Sequence, residues 1–138
     1  MIWSLYVVWK EENNTGIPII DEQHRFIVSN INSLYYFMQK GESEHLVNYI
    51  LEILQEYTKI HFNTEEQLLK EANYPEIDDH ISYHRSFNEK VSRMLKSKND
   101  DYKVMNTLKF LRQWWMYHIN NEDKKYVPYV TKNLSEHK

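Results

Sequence analysis

Imidazole and carboxylate side chains at one-turn spacing open this sequence to metal chemistry. His61 stands four residues before Glu65, and His80 four before His84. Four residues on a helix make one turn plus about 40° of rotation, so each pair presents its two side chains to one point in space. These are the side chains that bind first-row transition metals. Two such pairs on neighbouring antiparallel helices would supply half of a dinuclear site.

The elements that must position them follow from composition and periodicity. A chain of 138 residues, 41% hydrophobic, fits one domain with a sizeable core. Two glycines and three prolines suit a few long helices better than a turn-rich β-sandwich. A net charge of −3 with both signs interspersed leaves no basic stripe for nucleic acid. The absence of cysteine removes disulfides, zinc ribbons and thiolate chemistry together. The apolar start, Met1 to Val8, is too short for a signal peptide and no stretch approaches a membrane span, so a cytoplasmic protein, monomeric by default, is expected.

In chain order, an aromatic arm over 1–16 should pack on the open side of a bundle, with a short strand-like path. A first helix is expected over 19–39 with Ile20, His24, Ile27, Ile31, Leu34 and Met38 inward. A second covers 44–71 (Leu46, Ile50, Leu54, Tyr57, His61, Glu65, Leu68) and ends before Pro75. A third covers 77–96 (His80, His84, Phe87, Val91, Met94). Asn99 to Asp101 offers caps for a fourth, 102–123, with Val104, Leu108, Leu111, Trp115 and His118 in line. Pro128 argues against one unbroken helix through the tail, and Tyr126 to Leu134 could form a short fifth.

The fold expected is all-α: an up-down-up-down four-helix bundle with an N-terminal arm and a short C-terminal helix. That topology puts His24, His61, Glu65, His80, His84 and His118 at one end, facing inward. A single histidine on an apolar face is more often a hydrogen-bonded core residue than a ligand. Five at one level with a carboxylate would bury polar groups at several kcal/mol each unless paired. His45 and His137 fall outside the stripes and should be solvated. The nitrogen-rich set argues against calcium and magnesium and for iron, manganese, cobalt or zinc. The only Glu-x-x-His string, Glu42 to His45, falls in a loop, and His-Glu-x-x-His is absent.

Taken together, Trp9, Gly16-Ile17, Ile20-Asp21-Glu22-Gln23-His24, His61-Phe62-x-x-Glu65-Glu66, Tyr74-Pro75, His80-x-x-x-His84-x-x-Phe87 and His118-Ile119-x-x-x-Asp123-Lys124 carry a resemblance to a known family. The chain resembles the hemerythrins, in particular the bacterial single-domain bacteriohemerythrins, over nearly its whole length. The resemblance implies that residues 1–138 form one di-iron domain that binds O₂ reversibly. It implies that His80, His84 and His118 hold one iron, and His24 and His61 the other. Glu65 and Asp123 would bridge the two together with an oxo or hydroxo group, and the second iron would keep an open position. Two ferrous ions, two carboxylates and one hydroxide leave a net charge of about +1, cheaper to bury than separated ions. Ile27, Phe62, Trp115 and Ile119 would wall that position, besides being ordinary core.

An O₂ carrier, store or deliverer is the reading favoured by the lack of any fused domain. A sensor module, or a peroxidase or nitric-oxide-handling enzyme, is the alternative, the enzyme disfavoured by the lack of a placed general acid. Two local expectations follow. His118 and Asp123, five apart, lie about 140° apart on a regular α-helix, so a π-type turn is expected there. Trp115 stands where the family usually has leucine. It is expected to swing outward over the access route, its indole N–H finding a partner.

Overall fold

The structure, a computed structural model, describes residues 4–41, 44–96 and 101–137, the side chains at 101 and 102 excepted. Four long helices, α1 (Pro18–Gln39), α2 (Glu44–Glu71), α3 (Ile77–Lys96) and α4 (Asp101–Tyr117), form an all-α up-down-up-down bundle. α1 packs on α2 and α4, and α3 closes the ring by touching both of the same neighbours. A π-helical segment, His118–Asp123, continues α4 directly into α5 (Lys124–Glu136), which lies against α2.

The expected stripe holds along α4, where Val104, Leu108, Leu111, Trp115 and His118 are all buried. On α2 the buried row runs through Val47, Leu51, Leu54, Thr58, His61, Glu65 and Leu69, so the expected Tyr57 and Leu68 sit only half inward. Tyr57 instead packs against Phe26 of α1 at the rim, with the rings tilted by 44° and their centroids 4.3 Å apart. Pro128 lies inside α5 without breaking it. It sits five residues into the helix, close to the widened turn, and costs the missing bond rather than the helix. The Asn99 and Asp100 caps expected for α4, and the Asp101 side chain, lie outside the described residues, as does Glu42.

The arm packs as expected, with Val7 buried and Tyr6 and Trp9 half-buried against the core, but it forms no strand among the described residues. Its neighbours are helices, whose backbone groups are already bonded. The Asn32 side chain supplies the pairing instead: its carbonyl accepts from the Val7 N–H (2.8 Å) and its amide donates to the Val7 carbonyl (2.9 Å). A 3₁₀ turn, Glu11–Asn13, follows, and the Asn13 side-chain amide donates to the side-chain carbonyl of Asn120 in the π segment at 2.7 Å.

Two apolar clusters divide the interior. The larger fills the body of the bundle and ends at Ile27, Phe62, Trp115 and Ile119. The smaller, Ile17, Ile20, Leu69, Tyr74, Tyr126 and Val130, closes the other side. Between them lies a polar layer.

The start of α1 is set by a carboxylate. Buried Asp21 accepts from the Thr15 N–H (2.7 Å), the Thr15 hydroxyl (2.8 Å) and the Gly16 N–H (2.9 Å). Gly16 takes a φ of 86°, which only glycine adopts freely, and Pro18 opens the helix. Asp21→Ala would leave two backbone donors unpaired and should lower stability by about 2–4 kcal/mol in urea unfolding. A loss below about 0.5 kcal/mol would show that solvent replaces the carboxylate.

Candidate metal centre

The polar layer gathers all seven residues singled out from the sequence. His24 comes from α1, His61 and Glu65 from α2, His80 and His84 from α3, and His118 and Asp123 from the two ends of the π segment. All seven are buried. Glu65, His80, His84 and His118 each place a donor atom within 4.8 Å of the others, as do His24, His61 and Glu65.

The two carboxylates divide this layer in half. Glu65 Oε1 lies 2.7 Å from His80 Nε2, 2.9 Å from His84 Nε2 and 4.0 Å from His118 Nε2. Asp123 Oδ1 lies 3.2 Å from His80 Nε2 and 3.0 Å from His118 Nε2. The other oxygens face the other pair. Glu65 Oε2 is 3.4 Å from His61 Nε2 and 3.9 Å from His24 Nε2, and Asp123 Oδ2 is 3.2 Å from His24 Nε2. One oxygen of each carboxylate thus serves a three-histidine group and the other a two-histidine group.

The widened turn makes this possible. Residues five apart diverge on an α-helix, but a π turn brings i and i+5 onto one face. The structure has that turn over His118–Asp123. The arm braces it through Asn13 to Asn120, and Lys124 Nζ donates to the Asn14 carbonyl.

Surrounding groups fix the imidazoles. The Thr64 hydroxyl donates to the Ile60 carbonyl (3.0 Å), so it accepts from the Gln23 amide (3.2 Å). That turns the Gln23 carbonyl to His61 Nδ1 at 2.8 Å, which must then carry the proton and leave the Nε2 lone pair facing inward. The Glu66 carboxylate accepts from His84 Nδ1 at 2.7 Å with the same result. Phe62 lies flat on His84 (3.7 Å, 3°) and Trp114 on His118 (4.3 Å, 12°), which restricts ring rotation. Gln23 and Glu66 were legible only as members of their strings, with no role. Tyr126, whose hydroxyl donates to Glu65 Oε2 at 2.8 Å, was missed, although it follows Asp123 by three residues.

Trp115 corrects the expectation for it. It is fully buried, with its ring against His24, His61 and Phe62, and its indole N–H has no hydrogen-bond partner. It does not swing outward. Position 115 falls in phase with Leu108, Leu111 and His118, and turning the indole out would expose roughly 150–250 Å² of apolar ring. Ile27, Phe62 and Ile119 are buried in the same cluster. His45 and His137 are exposed, away from the layer.

The residues fit a metal pair. Nε2 of His24, His61, His84 and His118 and both oxygens of Asp123 are buried without a hydrogen-bond partner, converging donors that a pair of cations would satisfy. In the metal-free chain burial opposes every charge here, and the neighbours decide the outcome. The imidazoles of His118, His61, His80 and His84 around Glu65 hold it well below the usual carboxylate range, and those of His118 and His24 do the same for Asp123. Asp123 and Glu65 in turn raise His80 to about 10 and His118 to about 9, whereas burial lowers His61.

These directions give a pH dependence. For the metal-free chain, the stability from protonated His80 and His118 is present below about pH 6.5 and lost as pH rises through 9 to 10. The stability from the carboxylates is present above about pH 4 and lost in acid, and burying His61 neutral also counts against the fold below about pH 6.5. Metal replaces those protons, so the loaded chain should keep its Tm through pH 10. The gap in Tm between loaded and metal-free chains should therefore widen from pH 8 to 10 and close below about pH 5 as protons displace the metal. Equal Tm values for both forms at neutral pH would contradict this.

The Hemerythrin HHE cation binding domain matches residues 15–130. The chain is 36% identical to the bacteriohemerythrin of Pseudomonas paraeruginosa over 95% of this chain and 86% of that one. It is 30% identical to the bacteriohemerythrin of Clostridium acetobutylicum over 87% of this chain and 98% of that one. A crystal structure of wild-type hemerythrin superimposes with a TM-score of 0.82, 23% identity, and coverage of 91% of this chain and 98% of that chain.

Proposed function

The chain belongs to the hemerythrin family, and on that premise we propose that it binds O₂ reversibly at two iron ions held by the seven converging side chains. The observation that supports this best is the division of the two carboxylates. His80, His84 and His118 with one oxygen each of Glu65 and Asp123 would hold one iron, and His24 and His61 with the other two oxygens would hold its neighbour. With one solvent-derived oxygen shared between them, the first ion would have six donors and the second five, which would leave room beside His24 and His61 for O₂. The iron pair, when bound, supplies the electrons that O₂ takes up on binding and returns on release.

The protein's part is to hold, exclude and orient. Glu65 and Asp123 keep the two groups a carboxylate's width apart. Gln23 and Glu66 hold the His61 and His84 tautomers through their Nδ1 protons. Trp115 and Phe62 pack against the two-histidine group, and Ile27 and Ile119 extend the same buried wall, keeping bulk water from that side. Among the described residues, no helix is long and apolar enough to cross a membrane. Carriage, storage or delivery of O₂ by a cytoplasmic monomer, without enzymatic turnover, is the role this arrangement suits. The ring wall of Trp9, Phe62 and Trp115 beside His24 and His61 offers no acid to cleave an O–O bond.

The test is to load the chain anaerobically with ferrous iron and cycle it between air and argon. A visible absorption band should rise and fall over at least several cycles, with slow consumption of added hydrogen peroxide. Rapid peroxide turnover, or a single irreversible bleaching, would point to an enzyme instead.

A further inference from the structure

The two bridging carboxylates are not equivalent. Both oxygens of Asp123 are without a hydrogen-bond partner. Glu65 Oε2, the oxygen facing His61 and His24, accepts a hydrogen bond from the Tyr126 hydroxyl at 2.8 Å. Oε1, on the other side, faces only the imidazoles that would themselves hold a cation. Tyr126 cannot easily move away. It is fully buried in the smaller apolar cluster, edge-on to His80 (5.5 Å) and to Tyr74 (6.3 Å).

We propose that Tyr126 is a positioning residue that makes the two metal positions unequal, weakening through Glu65 Oε2 the hold on the ion beside His24 and His61. An oxygen that accepts a short hydrogen bond gives less charge to a cation on the same oxygen. The position affected already has fewer imidazoles, so the two effects add. The three-histidine position fills first and the two-histidine position second, and the second ion stays more electron-poor, which suits it to take an outside ligand. This rests on the di-iron reading above.

Partners behind a metal ligand commonly raise affinity by fixing its orientation, by about 10–100-fold. Orientation is not what Tyr126 adds at the second step. Once the first ion sits on Oε1, Glu65 is already fixed, and only the competition at Oε2 remains.

The experiment is a stepwise titration of the metal-free full chain with Co²⁺ under argon, followed by visible absorption and calorimetry. The wild type should take up two ions with well-separated constants. In Tyr126→Phe the weaker step should tighten so that the gap narrows by about tenfold, the stronger step changing little. A difluorotyrosine at position 126, a stronger donor, should widen the gap. Tyr74→Phe removes a neighbouring hydroxyl that donates to Glu76 instead (3.3 Å) and should leave it unchanged. A gap unchanged in Tyr126→Phe, or a weakened second step, overturns the proposal. If Tyr126→Phe does not fold, the difluorotyrosine variant decides: a wider gap supports the proposal and an unchanged one overturns it. Fewer than two ions on the wild type would instead overturn the di-iron reading itself.

Discussion

Two ionised carboxylates, Glu65 and Asp123, lie fully buried in the middle of a helical bundle, and the rest of the structure answers to them. A buried, unpaired carboxylate costs far more than a domain's whole margin of stability. Here each oxygen has at least one imidazole within 3.4 Å. Five imidazoles can partner four carboxylate oxygens only if all are brought to one level from every helix of the ring. Protons meet part of that demand in the metal-free chain, as the raised His80 and His118 values show, and a metal pair meets it more completely.

Several features that look unrelated serve this one constraint. The apolar clusters on either side seal the layer and keep the local dielectric low, which strengthens every contact inside it. The π turn is the least regular part of the described helices, and it is what lets His118 and Asp123 share a face. A turn of that kind needs support, and the arm gives it through Asn13 and Asn14. The arm is in turn held by Asn32 and by the Asp21 brace at the start of α1. Local packing thus runs without interruption from residue 7 to the two buried carboxylates.

Much of this was legible because the pattern is periodic. Helical stripes placed His24, His61, Glu65, His80, His84 and His118 at one end, and α2 and α3 end at Glu71 and Lys96 as their periodicity suggested, α2 just before Asn73-Tyr74-Pro75. The five-residue spacing of His118 and Asp123 announced the π turn by failing to fit an α-helix. What was not legible depends on tertiary contact. Tyr57 and Leu68 read as core because periodicity tolerates a one-residue error, and packing against the neighbouring helices selected Thr58 and Leu69. Trp115 read as too large for its place, yet the cost of exposing an indole exceeded that of making room inside. Tyr126 read as part of a separate short helix because Pro128 hid the continuity from α4, and that continuity carries it to Glu65.

On the proposed reading, one fold-wide convergence of imidazoles around two shared carboxylates holds a pair of metal ions. Anomalous diffraction at the iron edge, from crystals of the anaerobically iron-loaded chain, tests it most directly. Two peaks are expected, one bonded to His80, His84 and His118 and the other to His24 and His61, with Glu65 and Asp123 bridging both. A single peak, or two peaks without Glu65 and Asp123 shared between them, would contradict it.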